Sequence, residues 1–374
     1  MLRGLLQILP LLGAVQASPT RRSTSRYSQQ AQELADPTYG PIPGESDLYN
    51  TYWGTDAPFP GYITDPVYPT RNGPPGVDDV VWQNLLAAEW IVFHFYQRAV
   101  EMFTPADFVA AGMPSQTYRR IQEIRNNEAG HLRIFQNMIS PTSIKPGACK
   151  YKFPFTDPMS FLALMTAVEL SSMTFLTGLV QQPRIEAGRA AMVAIAEVET
   201  RHSTWALMDI WKVDPFGGPI DTVFPYANEI LETTMNAFVI PGSCPSENPE
   251  YPNPRLRLPT LSAGQDTKSL TPGSTISLEF PDPNNQPRFD VHTRYYVVFF
   301  HGVNNVSVPI DVHRWPRVNI WVTIPSHFET KGVVVAVVAD EPGAPTKESL
   351  VAGPGIIMQQ PAALAASMLR GEYY

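Results

Sequence analysis

Six residues in this chain combine side-chain types and spacing that could hold metal ions. Glu89 has Trp82, Leu85 and Leu86 behind it and Phe93 and Tyr96 ahead, all on one stripe at the helical period. Glu169 repeats the arrangement, with Leu162, Met165, Met173 and Leu176 at −7, −4, +4 and +7. Between Pro158 and Pro183 it is the only formally charged residue. A lone carboxylate on an apolar face is costly to bury as an anion, so it must be neutral, paired or bound to a cation. Taken by itself, Glu169 reads as a protonated or hydrogen-bonded core residue. Two further segments change that reading, because each carries Glu-x-x-His: Glu128 with His131, and Glu199 with His202. Spacing of three puts both side chains on one helix face. Ile121, Ile124, Leu132 and Phe135 flank the first pair, and Met192, Ile195, Ala196, Ala206 and Ile210 the second, so both pairs point inward. Glu123 and Glu197 fall off these stripes and read as surface charges, or at best as outer partners of the ligands.

The order is therefore a glutamate, then Glu-x-x-His, then the same two again, with intervals of 39 and 30 residues between each lone glutamate and its pair. Four glutamates crowded together would raise one another's pKa, whereas two divalent cations neutralise four carboxylates and leave two neutral imidazoles. This is the ligand pattern of a di-iron or di-manganese carboxylate site in a four-helix bundle, and carboxylate with imidazole suits iron or manganese. In such a site Glu128 and Glu199 would bridge, Glu89 and Glu169 would be terminal, and each metal would take one histidine. Tyr96, seven residues beyond Glu89, lies on the same face as a redox or hydrogen-bonding neighbour or as a core-filling aromatic. The alternative to a metal centre is a bundle that keeps unusual polar residues for packing.

These residues need four helices, and four apolar-periodic runs are present, over about 78–103, 115–139, 159–181 and 185–212, with prolines confined to breaks such as Pro105, Pro114, Pro141 and Pro183. A further helix is expected over about 221–238. Short β-branched or aromatic runs follow at 274–280, 295–301, 318–324 and 332–338. The fold class is thus α+β in two domains: a helical bundle over 77–243 and a small β-sandwich-like domain over 261–360, joined by a Pro-rich linker at 244–260. Before the bundle, 18–76 reads as a Pro-rich extended arm; after the sandwich, 361–374 is a tail that could begin with a short helix. The 38 prolines, about twice the usual share, fit a chain with much extended and turning backbone.

Residues 1–17 have one positive charge at Arg3, an apolar run and a small-residue pattern before Ser18, which reads as a cleaved secretory signal; the run is too short to span a bilayer. A secreted chain meets an oxidising medium, so its two cysteines, Cys149 and Cys244, are a candidate disulfide, and Asn305-Val306-Ser307 is a candidate glycosylation sequon. The net charge of −8 leaves no broad cationic field for nucleic acid or an anionic membrane. Two cysteines exclude an all-cysteine metal site. No phosphate-binding glycine loop and no Gly-x-Ser-x-Gly elbow occurs, so nucleotide and serine-hydrolase chemistry has no support. The β domain reads as a packing module or a contact surface for protein or cell wall.

The stretches NLLAAEWIVFHFYQRAVEMF, NNEAGHLRIF, FLALMTAVELSSMTFLTGL and AIAEVETRHSTWALMDIW, with the later VAGPGII, resemble the ferritin-like superfamily. In their order they are similar to a family of secreted fungal ferritin-like proteins described as stress-response or late sexual development proteins. The resemblance implies a ferritin-like four-helix bundle, two iron ions and iron-dependent reaction with O2 or peroxide. His202 departs from storage ferritins, whose ferroxidase centre usually lacks the second histidine, and favours the oxidase or peroxidase-like branch. Oxidation of a small organic metabolite and a non-catalytic structural role in stress or development are the alternative functions.

Overall fold

The structure is a computed structural model that describes residues 53–216, 222–362 and 364. The expected signal segment, the arm before residue 53 and nearly all of the 361–374 tail lie outside the described residues.

Four long helices form where the apolar periods place them: α1 (Asp79–Met102), α3 (Thr117–Met138), α4 (Pro158–Leu179) and α5 (Glu186–Trp205). Helix α4 starts where its sequence dictates. Asp157 accepts hydrogen bonds from the Met159 and Ser160 amides, and Pro158 fills the first turn, where no amide donor is needed. One short helix, α2 (Pro105–Ala110), was not expected. Pro105 read as a break, yet Thr104 caps the helix with Asp107 closing the reciprocal bond, so the proline begins an element instead of ending one. After α5 the chain widens into a π-helical turn over Ala206–Ile210.

Two aspartates fix the end of the bundle. Asp78 accepts from the Arg184 and Ile185 amides, tying the start of α1 to that of α5. Asp79 accepts from the Gly76 amide and the Ser140 amide and hydroxyl. Residues 53–76 run mainly as extended chain over α1 and α3. There the carbonyls of Gly54 and Asp56 accept from the buried Arg125 guanidinium, and Phe59 packs on Trp90 and Phe93.

The single helix expected over 221–238 is shorter and irregular: α6 (Ala227–Ile230), a π turn (Leu231–Met235) and a 3-10 turn (Asn236–Phe238). The hydroxyls of Thr233 and Thr234 bond back to the carbonyls of Glu229 and Ile230, a competition that loosens a regular ladder. In α6, Glu229 is buried with one carboxylate oxygen unpartnered. Burial pushes its pKa up to about 7, helped by the charge of Glu232 and opposed by Lys347. A carboxyl whose folded pKa is raised stabilises the fold below its unfolded value, and that contribution is lost as pH rises through about 7. Glu229→Gln should therefore leave stability near pH 4 unchanged and add about 1–2 kcal/mol at pH 8, allowing for solvent screening. Thermal melts at the two pH values check this, and equal shifts at both would contradict it.

The β region holds seven strands in two antiparallel sheets. β1 (Ser262–Ala263), β2 (Thr275–Glu279) and β5 (Ile320–Thr323) form one, in the order β1-β2-β5. β3 (Tyr295–His301), β4 (Asn304–Ile310), β6 (Val333–Ala339) and β7 (Leu350–Met358) form the other, in the order β4-β3-β6-β7. Val297, Phe299, Val334, Ala336 and Val338 face the first sheet, while Val298, Phe300, Val335, Val337 and Ala339 belong to the core shared with the helices. The two central strands are thus buried on both faces. The contact with the bundle is close: at Gly178 of α4 an added Cβ would sit 1.8 Å from the Phe224 carbonyl oxygen, and Phe224 meets Phe300 edge-on. The segment 244–260, read as a linker, lies against α1, where Asn84 exchanges two hydrogen bonds with the Asn253 backbone. A disulfide joins Cys149 to Cys244. Asn305 is exposed on β4, an edge strand. Glu123 pairs with Arg120 at the surface.

Candidate metal centre

α1, α3, α4 and α5 each turn one face to a common axis, and all six residues singled out in the sequence meet there. Glu128 and Glu169 are wholly buried; Glu89, His131, Glu199 and His202 are no more than 6% exposed. The contacts divide the cluster into two halves. His131 Nδ1 lies 3.2 Å from Glu89 Oε1, 2.9 Å from Glu128 Oε2 and 3.5 Å from Glu199 Oε1. His202 Nδ1 lies 3.3 Å from Glu128 Oε1, 3.5 Å from Glu169 Oε2 and 3.7 Å from Glu199 Oε2. Glu128 and Glu199 thus offer one oxygen to each half, while Glu89 and Glu169 serve one half each.

The donors fit divalent ions better than they fit one another. Glu89 Oε1, Glu128 Oε1, Glu169 Oε2 and His202 Nδ1 are buried without a hydrogen-bond partner, although such atoms are costly to leave unmet. Adjacent donors around an ion with bonds near 2.1 Å stand about 3 Å apart, close to the separations found here. The ligand atoms group as Glu89, Glu128 and His131 on one side and Glu128, Glu169, Glu199 and His202 on the other.

Electrostatics point the same way. Burial, and then the charge of Glu128, raise Glu89 well above the usual carboxylate range. Burial, then Glu128 and Glu169, do the same to Glu199. Burial alone would raise Glu128 too, but the two imidazoles beside it outweigh that and hold it low. Both histidines are raised, since the carboxylates outweigh the burial that opposes their charge. With no ion bound, these shifts favour protons shared among the carboxylates and imidazoles, a balance that bound cations would replace.

Two neighbours orient the donors. The Tyr96 hydroxyl donates to Glu169 Oε1, which leaves Oε2 turned to the His202 half. Burial, followed by the charges of Glu169 and Glu128, keeps that phenol protonated. His202 Nε2 lies 3.1 Å from Asn127 Oδ1, so the Nε2–H donates there and Nδ1, which faces the carboxylates, is the nitrogen left to bind an ion once its proton is lost. Asn127 escaped the sequence reading because an exposed asparagine one residue before Glu128 looks like any solvated helix position. If the cluster binds metal, Asn127→Ala should weaken binding at the His202 half by about tenfold to a hundredfold, measured by chelator competition, and leave the His131 half unaffected.

Remaining histidines have other surroundings. His94 packs against Phe93 and Tyr151, with its pKa lowered to about 4 by burial, and His301 bonds the Val333 carbonyl.

The ferritin-like domain family matches residues 78–208, a span that takes in α1 to α5 and all six donors. Protein rds1 of Schizosaccharomyces pombe is similar, at 22% identity over 237 residues, which is 55% of this chain and 57% of that protein. The match therefore spans little more than half of that relative's length. Residues 78–208 are thus similar to ferritin-like domains and carry a buried carboxylate and histidine cluster compatible with metal, and a two-sheet β region follows them.

Proposed function

We propose that this chain is a secreted di-metal carboxylate protein that binds two iron ions, with manganese as the alternative metal, and reacts with O2, peroxide or Fe(II). One observation carries the reading: Glu128 and Glu199 each present one oxygen to each imidazole Nδ1, the arrangement that two bridged cations require. Glu89 and His131 would complete one ion's protein ligands, and Glu169 and His202 the other's. When bound, two neighbouring redox-active ions supply paired one-electron chemistry suited to reducing oxygen species.

The chain's own residues do the rest. Tyr96 keeps one oxygen of Glu169 occupied and so fixes which oxygen is free. Asn127 sets the His202 tautomer. Trp82, Leu162, Met165 and Met192, all 0–1% exposed, keep water from the cluster, which strengthens every charge interaction inside it. Oxidation of an organic metabolite is less favoured, because the markedly apolar cavity lined by Leu164 and Val168 lies on the opposite face of α4 from Glu169.

Metal analysis of protein made in iron-replete medium tests the reading: about two ions per chain are expected after dialysis against a weak chelator, with an absorption band characteristic of oxo-bridged iron after Fe(II) loading in air. Protein that folds and retains no metal under these conditions would sink it. Secretion predicts a mature chain beginning near Ser18 and, with Asn305 glycosylated, a mass shift on glycosidase treatment.

A further inference from the structure

Helix α4 is largely apolar apart from Glu169, and its two faces have different fates. The face with Glu169 closes the metal cluster. The opposite face, with Ala163, Leu164, Ala167 and Val168, lines a cavity of about 340 Å³ completed by Met235, Phe238, Ile356 and Met358. Ser171, Thr233 and Thr234 also border it, and the two threonine hydroxyls bond backbone carbonyls. Among the described residues lining the cavity, Lys152 alone carries a charge, and it is exposed. An apolar chamber with one cation in its wall has the chemistry of a site for an amphiphile with an anionic head.

We propose that this cavity binds a monocarboxylate with an unbranched apolar chain, a medium-chain fatty acid, its tail against α4 and β7 and its carboxylate at the Lys152 ammonium. The size fits. At roughly 30 Å³ for each water-sized group the chamber takes about eleven heavy atoms, enough for the nine-carbon tail of decanoate. The tail gains by leaving water, and the head keeps its solvent contact while meeting a counter-charge. This site does not depend on the metal reading, since α4 itself stands between the ligand and Glu169.

Titration of the full-length protein with decanoate and with decanol, followed calorimetrically, tests it. Saturable binding of one decanoate per chain is expected, about threefold to fivefold tighter than decanol, the margin an exposed charge pair provides. Lys152→Gln changes an exposed residue and should remove that preference while decanol binding stays the same. Ala167→Phe fills the chamber and should abolish binding of both, with the far-UV spectrum and metal content unchanged. Three results would overturn the proposal: no saturable binding, decanoate affinity indifferent to both substitutions, or binding that appears only after residues 365–374 are deleted, which would make the chain's own tail the occupant.

Discussion

Glu128→Gln should empty both halves of the metal centre, whereas Glu169→Gln should empty only one. Glu128 offers an oxygen to each imidazole, so under the proposed two-ion reading its loss would remove a ligand from both ions and the content should fall from about two per chain to near zero. Glu169 faces the His202 half alone, and about one ion should remain. Loss of a direct ligand should exceed the tenfold to hundredfold effect of an outer partner such as Asn127. Metal binding to the folded state also stabilises it, by about 4 kcal/mol when free metal is a thousandfold above Kd, so wild-type protein should melt well above its metal-free form and Glu128→Gln should not.

The metal-free proteins should differ in an informative way. Glu199 is held neutral by burial and by its acidic neighbours, so Glu199→Gln replaces a protonated acid with a neutral near-isostere and should leave the metal-free melting temperature nearly unchanged. Glu128 is the anion between two raised histidines, and removing it leaves their charge uncompensated, so metal-free Glu128→Gln should melt lower. Elemental analysis with paired melts gives both readouts. Unchanged metal content in Glu128→Gln would refute the bridging role.

The disulfide should be the largest single covalent contribution to stability. Cys149 and Cys244 are 95 residues apart, and the loop they close contains α4 and α5, and so Glu169, Glu199 and His202. Closing a loop near 100 residues restricts the unfolded chain by up to about 4.7 kcal/mol, with 2–5 kcal/mol typical for removal of a native bridge. The double change Cys149→Ser and Cys244→Ser, or reduction in denaturant, should lower the unfolding free energy by that amount. Urea titrations with and without reductant measure it, and an unchanged midpoint would show that the packing of α4 and α5 holds this half unaided.

The carboxylate and histidine cluster was legible because charge on an apolar stripe is rare. Glu169 between Leu162 and Leu176 announces itself, and repetition on four helices turns an oddity into a constellation. Tyr96 was visible as a same-face neighbour, but its bond to Glu169 depends on side-chain reach that spacing does not specify. The strands were less legible. β3 was bounded correctly at 295–301 because its run of aromatic and β-branched residues is uninterrupted. β4 and β7 went unassigned because Pro309, Pro354 and glycines interrupt their patterns. Both are edge strands, where a missing amide donor is tolerated, and β7 also carries a register shift against β6 and left-handed backbone at Gly353. Propensity reads a strand's interior well and its compromises with an edge poorly.

The double-sided burial of β3 and β6 bears on how this architecture can be inherited. A bundle cut free of its sheet would bare Val298, Phe300, Val335 and Val337 on one fragment and their counterpart apolar surface on the other, a patch of the kind that drives aggregation. Recombination that shuffles the helical half onto a new partner would thus yield insoluble products unless a matching sheet came with it, so the two halves should pass through gene duplication and exchange as one indivisible cassette.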